Sequence, residues 1–228
     1  MRLRLQLHVT PNIQPVPFNH LHQLTGALHK WLGPNYLHDG LSLYSFGWLK
    51  DANVQKEGLA FRKGTTWNIS FFYSQAAKKV VGGLMDIPEV AFGMRVAEVH
   101  LMPVPPFGER FSFRTDGSAV IARRKREDSS REYLLWDNPA ADQALTRVLE
   151  KKLMAAGFTG NDLEVSVRFD RTYANARTRK ITIENNNHKI EHKGSECPVI
   201  VEGTPEAVRF AWLVGIGELT GSGFGGVR

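Results

Sequence analysis

From Leu3 to Val9 apolar and polar residues alternate, which predicts a strand with Leu3, Leu5, Leu7 and Val9 on one buried face. Leu21, Leu24, Leu28, Trp31 and Leu32 then recur at helical spacing, with Asn19 as the expected N-cap and Gly33-Pro34 as the stop. Aromatic-rich runs from Leu43 to Leu49 and from Trp67 to Tyr73 predict two further strands. A second helix is expected from Gln75 to about Met85, with Ala77, Val80, Val81 and Leu84 inward, although Gly82 and Gly83 weaken its pattern. A strand from Met94 to Met102 completes the order β-α-β-β-α-β, the ferredoxin-like arrangement.

Met102-Pro-Val-Pro-Pro-Phe-Gly108 breaks regular structure and sets the expected boundary between a domain of residues 1–105 and one of residues 106–228. Beyond it, Ala119–Arg124 and Glu132–Trp136 predict a hairpin with a charged tip. Asn138-Pro139 opens a helix whose stripe is Ala141, Ala144, Leu145, Val148, Leu149 and Leu153, and Gly157 ends it. Leu163 to Phe169, Ile181 to Ile190 and Val199 to Val201 each predict a strand. Thr204-Pro205 caps a last helix through Val208, Ala211, Trp212 and Val214. The expected class is α+β: two tandem ferredoxin-like (RRM-like) βαββαβ units with hairpin additions and a C-terminal Gly-rich loop.

The chain has 228 residues, 42% of them hydrophobic, which suffices for one large or two small cores. Its net charge of +6 favours polyanionic partners. Cys197 is the lone cysteine, so no intramolecular disulfide forms, and its Pro-Val-Ile-Val surroundings suit a buried structural thiol. No CxxC or HExxH spacing marks a metal site, and no cofactor is expected. No apolar run reaches membrane-spanning length, and Met-Arg-Leu-Arg-Leu lacks a signal peptide's apolar core, so a cytoplasmic location is expected.

Residues 215 to 225 read Gly-Ile-Gly-Glu-Leu-Thr-Gly-Ser-Gly-Phe-Gly, two Gly-apolar-Gly triplets five residues apart. Glycine at this density permits positive φ and close approach of another backbone, and consecutive N–H groups suit phosphate contact. No Gly-Lys-Ser/Thr follows, so this is not a P-loop. Gly221, Gly223 and Gly226 match G-x-G-x-x-G only nominally, because no helix follows them. Ile216 and Phe224 argue against a solvated linker. This loop resembles the signature of the RAMP superfamily of CRISPR-associated proteins. Within it the chain is most similar to the CRISPR repeat-processing endoribonucleases, the sixth Cas protein family. The segment Leu37-His38-Asp39-Gly40, leading into Leu43-Tyr44-Ser45-Phe46, also resembles a stretch that follows that family's first helix.

The resemblance implies metal-independent cleavage of CRISPR precursor RNA within its repeats to give mature guide RNA. The RNA's 2′-hydroxyl is the nucleophile, and the ends are a 2′,3′-cyclic phosphate and a 5′-hydroxyl. It also implies His38 as general acid or base, with His22 or His29 of the first helix as contributors and Tyr36 and Lys50 as neighbours. Histidine suits either proton-transfer role. Taken without the resemblance, His38 reads as a loop histidine at a helix end, and His22 and His29 equally as a solvated flank. RNA binding is expected at Arg123, Arg124, Lys125 and Arg126 in the hairpin tip. It is also expected at Arg177, Arg179 and Lys180, and at Gly215, Gly217, Gly221, Gly223 and Gly225 of the loop. The implied partners are repeat RNA, as precursor and mature guide, and other Cas proteins of an effector complex. No membrane is implied, and the chain would act as a monomer or a homodimer. Two rivals stand beside this reading: a catalytically inactive RNA-binding RAMP subunit that holds guide RNA in an effector complex, and a basic α+β scaffold that binds proteins.

Overall fold

Leu3, Leu5 and Leu7 are buried, as the alternation requires, and their strand β1 (Arg2–Val9) is central in a four-stranded antiparallel sheet. The computed structural model describes residues 1–35, 40–185 and 188–228. Around β1 the first half runs through α1 (Leu21–Leu32), β2 (Tyr44–Phe46), a small β3–β4 hairpin (Asn53–Gln55 and Gly58–Ala60), β5 (Thr65–Phe71), α2 (Ser74–Asp86) and β6 (Met94–Leu101). The sheet order β2-β5-β1-β6 is that of a ferredoxin-like βαββαβ unit. Leu24, Leu28 and Trp31 of α1 join Trp67 and Ile69 of β5 in one core, with the Trp31 and Trp67 rings 5.8 Å apart. Gly83, a weak helix former, is there for packing. A Cβ on it would lie 2.6 Å from the Trp31 Cα, so only glycine lets α2 approach α1 this closely.

The second half repeats the arrangement. It runs through β7 (Arg110–Phe113), a β8–β9 hairpin (Ala122–Lys125 and Arg131–Leu134), α3 (Ala140–Ala155), β10 (Ser166–Phe169), a β11–β12 hairpin (Arg177–Asn185 and His188–Glu196), β13 (Val199–Glu202) and α4 (Pro205–Val214). Its sheet has the order β10-β13-β7. The fourth position is taken by the segment after the Gly-rich loop: Arg114 and Arg228 exchange backbone hydrogen bonds of 3.0 and 2.8 Å, and Asp116 donates to the Gly226 carbonyl at 2.7 Å. Both halves are therefore ferredoxin-like.

The sequence-based expectations need three corrections. Asn19 is not the N-cap of α1: the helix begins at Leu21 with His20 at the cap position, and the His20 ring bonds the Pro17 carbonyl. The run from Ile181 to Ile190 is not one strand, because β11 and β12 pair antiparallel from Arg177↔Glu196 to Asn185↔His188. Cross-strand pairs such as Lys180–Glu191 hold that register. The strand expected over Leu163–Phe169 begins only at Ser166, after a short 3-10 turn over Gly160–Leu163.

Helix α4 joins the halves. Thr204 caps it by accepting from the Ala207 N–H, and seven of its ten residues are buried, against both β2 and β5 and against β7 and β13. Carbonyls near its C-terminal end are satisfied from across the molecule. Arg2 donates to Trp212 O at 2.6 Å, Ser45 to Leu213 O at 3.0 Å, and Lys152 to Val214 O at 3.2 Å. This fixes the start of the Gly-rich loop. Gly225 closes it at φ +60°, where a Cβ would overlap the Ile216 carbonyl oxygen. Gly225→Ala is expected to cost about 2–5 kcal/mol in urea unfolding, from left-handed strain plus overpacking. Gly26→Ala, in α1 with open space around it, is expected to stabilise by about 0.5–1 kcal/mol. Equal effects of the two substitutions would show that the loop is not packed as described.

Candidate functional site

A groove of about 910 Å³ opens between the two halves. One wall is α1, whose Thr25 and His29 lie one turn apart on the same face, continued by Gly40–Ser42 and Tyr44. The other wall is α3, with Gln143, Arg147 and Lys151 at four-residue spacing. The β8–β9 hairpin adds Arg124, Lys125 and Arg131, and the loop from Gly217 to Ser222 forms the floor. Lys125, Arg131, Arg147 and Lys151 have no acidic partner among the described residues, so the groove carries uncompensated positive charge.

At its base a chain of hydrogen bonds runs between the halves. His29 Nε2 lies 3.1 Å from the Tyr44 hydroxyl, which donates to Gly221 O at 3.3 Å. The Thr220 hydroxyl donates to Tyr44 O at 3.0 Å and accepts from Lys152 Nζ at 2.9 Å. Burial pushes the Tyr44 phenol up to about 12, so it acts as a neutral hydroxyl. Burial pulls Lys152 down to about 7, with Glu218 opposing that shift. As a neutral amine it still donates to both of its acceptors.

Lys152 makes stability depend on pH. Its folded pKa is below the usual 10.5 of a lysine. Between about 7 and 10.5 the unfolded chain therefore holds a proton that the folded chain has released, and stability rises with pH across that window. Wild type is expected to gain up to about 1.4 kcal/mol per pH unit there, relative to Lys152→Met. Parallel urea-denaturation profiles for the two proteins from pH 7 to 10 would refute this.

The groove gathers some of the expected site residues and leaves others out. His29, Arg123, Arg124, Lys125, Gly217 and Gly221 line it. His22 does not, and its Nδ1 bonds Asn19 O at 2.9 Å. Lys50 pairs with Asp116 at 2.6 Å, away from the groove lining. Tyr36 and His38 lie outside the described residues, in the four-residue stretch before Gly40. Arg123 is mostly buried, pairs with Glu218 and lies over the Tyr133 ring. Arg124 and Arg126 both reach Glu132, Arg177 and Arg179 share Glu196, and Lys180 pairs with Glu191. All five loop glycines are buried. What the loop presents at its surface is Glu218, Leu219 and Ser222, with Leu219 held left-handed at φ 59°.

Arg131, Arg147, Lys151 and Lys152 belong to this site and carry no motif. Their signal is spacing. Lys152 lies seven residues after Leu145 and three after Leu149, on the apolar face of α3, where a lysine is out of place.

The chain matches the family model described as CRISPR associated protein Cas6, C-terminal, over residues 102–228. Solved structures superpose on its whole length. A Cas6-related protein from Pyrococcus furiosus has a TM-score of 0.82 at 17% identity, covering 100% of this chain and 97% of that one. A CRISPR associated protein Cas6 gives 0.80 at 22% identity, covering 100% and 98%. A RAMP protein described as binding different RNA substrates gives 0.80 at 18%, covering 100% and 98%. At these identities the likeness is one of fold. No curated protein matches the chain.

Proposed function

The chain belongs to the CRISPR-associated Cas6 family, and on that premise we propose that it is an endoribonuclease that cuts CRISPR precursor RNA within its repeats. The observation that carries the reading is the basic groove between the halves, with the His29–Tyr44 pair on one wall and the Gly-rich loop beneath. RNA lying there has its phosphates opposite Lys125, Arg131, Arg147 and Lys151. The 2′-hydroxyl next to the scissile phosphate attacks phosphorus, the 5′-oxygen departs, and a 2′,3′-cyclic phosphate and a 5′-hydroxyl remain. One group takes the 2′-hydroxyl proton and another protonates the leaving oxygen. His29 and His38 are the proposed pair. The RNA supplies its own nucleophile, so no step requires a metal ion. Lys151 and Arg147 are placed to stabilise the charge that develops on the phosphorane. Tyr44 orients the His29 ring, and Lys152 holds the loop through Thr220.

The test is incubation of the protein with repeat RNA in excess EDTA. Cleavage at one position in the repeat is expected. Tight binding with no cleavage would refute the catalytic reading and leave a guide-holding subunit, and no binding would refute both.

A further inference from the structure

A second, smaller cavity of about 260 Å³ shares no lining residue with the groove. It lies between the N-terminal end of α1 and strand β11, and Phe18, His20, Trp48, Arg179 and Lys180 define it. Three observations give it a chemistry. Phe18 is 57% exposed although large and apolar. Trp48 donates its Nε1 to Gly223 O at 2.7 Å, so its polar atom is satisfied and its ring remains for contact. His20 is only 3% exposed, yet its Nε2 has no hydrogen-bond partner.

The His20 ring has a defined tautomer. Its Nδ1 lies 2.8 Å from Pro17 O, an atom that can only accept, so Nδ1 carries the hydrogen. Burial also lowers the ring's pKa and favours the neutral form. Nε2 is therefore a buried acceptor without a donor, which is costly unless a ligand supplies one. His20 is also the N-cap residue of α1, a 12-residue helix with no side-chain cap and no acidic residue in its first turn. The N–H groups at this end favour an anion. Arg179 faces the cavity from the other side, on the strand face it shares with the buried Ile181, in an exposed ion pair of a kind that exchanges readily for a phosphate.

We infer that this cavity is a second RNA subsite that takes one unstacked nucleotide. The base lies against Phe18 and Trp48 with a donor on its edge facing His20 Nε2. The phosphate lies between the α1 N-terminus and Arg179. The inference rests on the RNA-binding reading above and adds where an unpaired nucleotide outside the cleavage groove is held. Because Trp48 bonds Gly223 O, a base stacked there also braces the Gly-rich loop.

The test uses single-stranded repeat RNA carrying 5-iodouridine at successive positions, photocrosslinked to the protein and mapped by mass spectrometry. One position is expected to crosslink to Phe18 or Trp48. Phe18→Ala, at an exposed site where folding is not at risk, is expected to lose that crosslink and weaken binding about 5- to 100-fold. Removing that base alone is expected to cost wild type the same factor and Phe18→Ala almost nothing. RNA that binds wild type but crosslinks only to groove residues would overturn the subsite and leave the proposed function intact. RNA that does not bind at all would overturn both.

Discussion

Alanine in place of His29 is expected to lower the single-turnover rate of repeat cleavage by about 10²–10⁴-fold, with RNA affinity nearly unchanged. His29 is half-buried on the groove wall, outside the leucine stripe that holds α1 to the sheet, so its removal leaves the core intact. Its Nε2 contact with Tyr44 fixes the ring relative to the loop floor. Tyr44→Phe removes that contact and the bond to Gly221 O, so a smaller loss in rate is expected. His38→Ala is expected to match His29→Ala if the two histidines divide the acid and base roles. Loss in His38→Ala alone would mean that His29 merely lines the groove. Wild-type rates in both would remove histidine chemistry from the account. The readout is single-turnover rate at saturating protein, which separates chemistry from binding.

Replacing Arg131, Arg147 and Lys151 together by glutamine is expected to produce the second large effect, on affinity. These cations line the groove and have no acidic partner among the described residues, so each is available to a phosphate. Each lost contact on a single strand lowers the salt slope of binding by about 0.7, or roughly 2 for all three. The loss in affinity is therefore greatest at low salt and shrinks as salt rises. Arg177→Gln with Arg179→Gln is expected to change the slope less, by about 0.7, because of the two only Arg179 lines a proposed phosphate position. An unchanged slope in the triple variant would place the RNA elsewhere on the surface.

Much of the fold was legible because local signals agreed with one another. The alternation of Leu3, Leu5 and Leu7, the Thr204-Pro205 cap and the stripe of α3 each produced the expected element. The β11–β12 hairpin was misread because its residues are mostly polar, and the face it buries carries His192 and Gly194 beside Ile181, so no apolar alternation marks where one strand ends. The β3–β4 hairpin was unmarked because every residue of β3 is exposed. At the site, the histidines of α1 and the basic hairpin could be seen from residue type, but His22, Lys50 and His29 could not be told apart before their partners were known. The Gly-rich loop was recognisable, and the close backbone approach expected of its glycines holds at Gly215, Gly217 and Gly225, whereas Gly221 and Gly223 lie against the side chains of Tyr44 and Phe46. Glu218, Leu219 and Ser222 are what the loop shows. Lys152 was passed over because a lysine in a helix is ordinarily solvated, although its place on the apolar face of α3 said otherwise.

The central claim is that the RNA's own 2′-hydroxyl cuts it in the groove. The most direct measurement compares repeat RNA with the same RNA carrying a single 2′-deoxy nucleotide at the cleavage site, both in EDTA, with analysis of the product ends. The account predicts a cyclic phosphate from the first and no cleavage of the second at unchanged affinity. Cleavage of the 2′-deoxy RNA, or a 3′-hydroxyl end from the natural RNA, would contradict it.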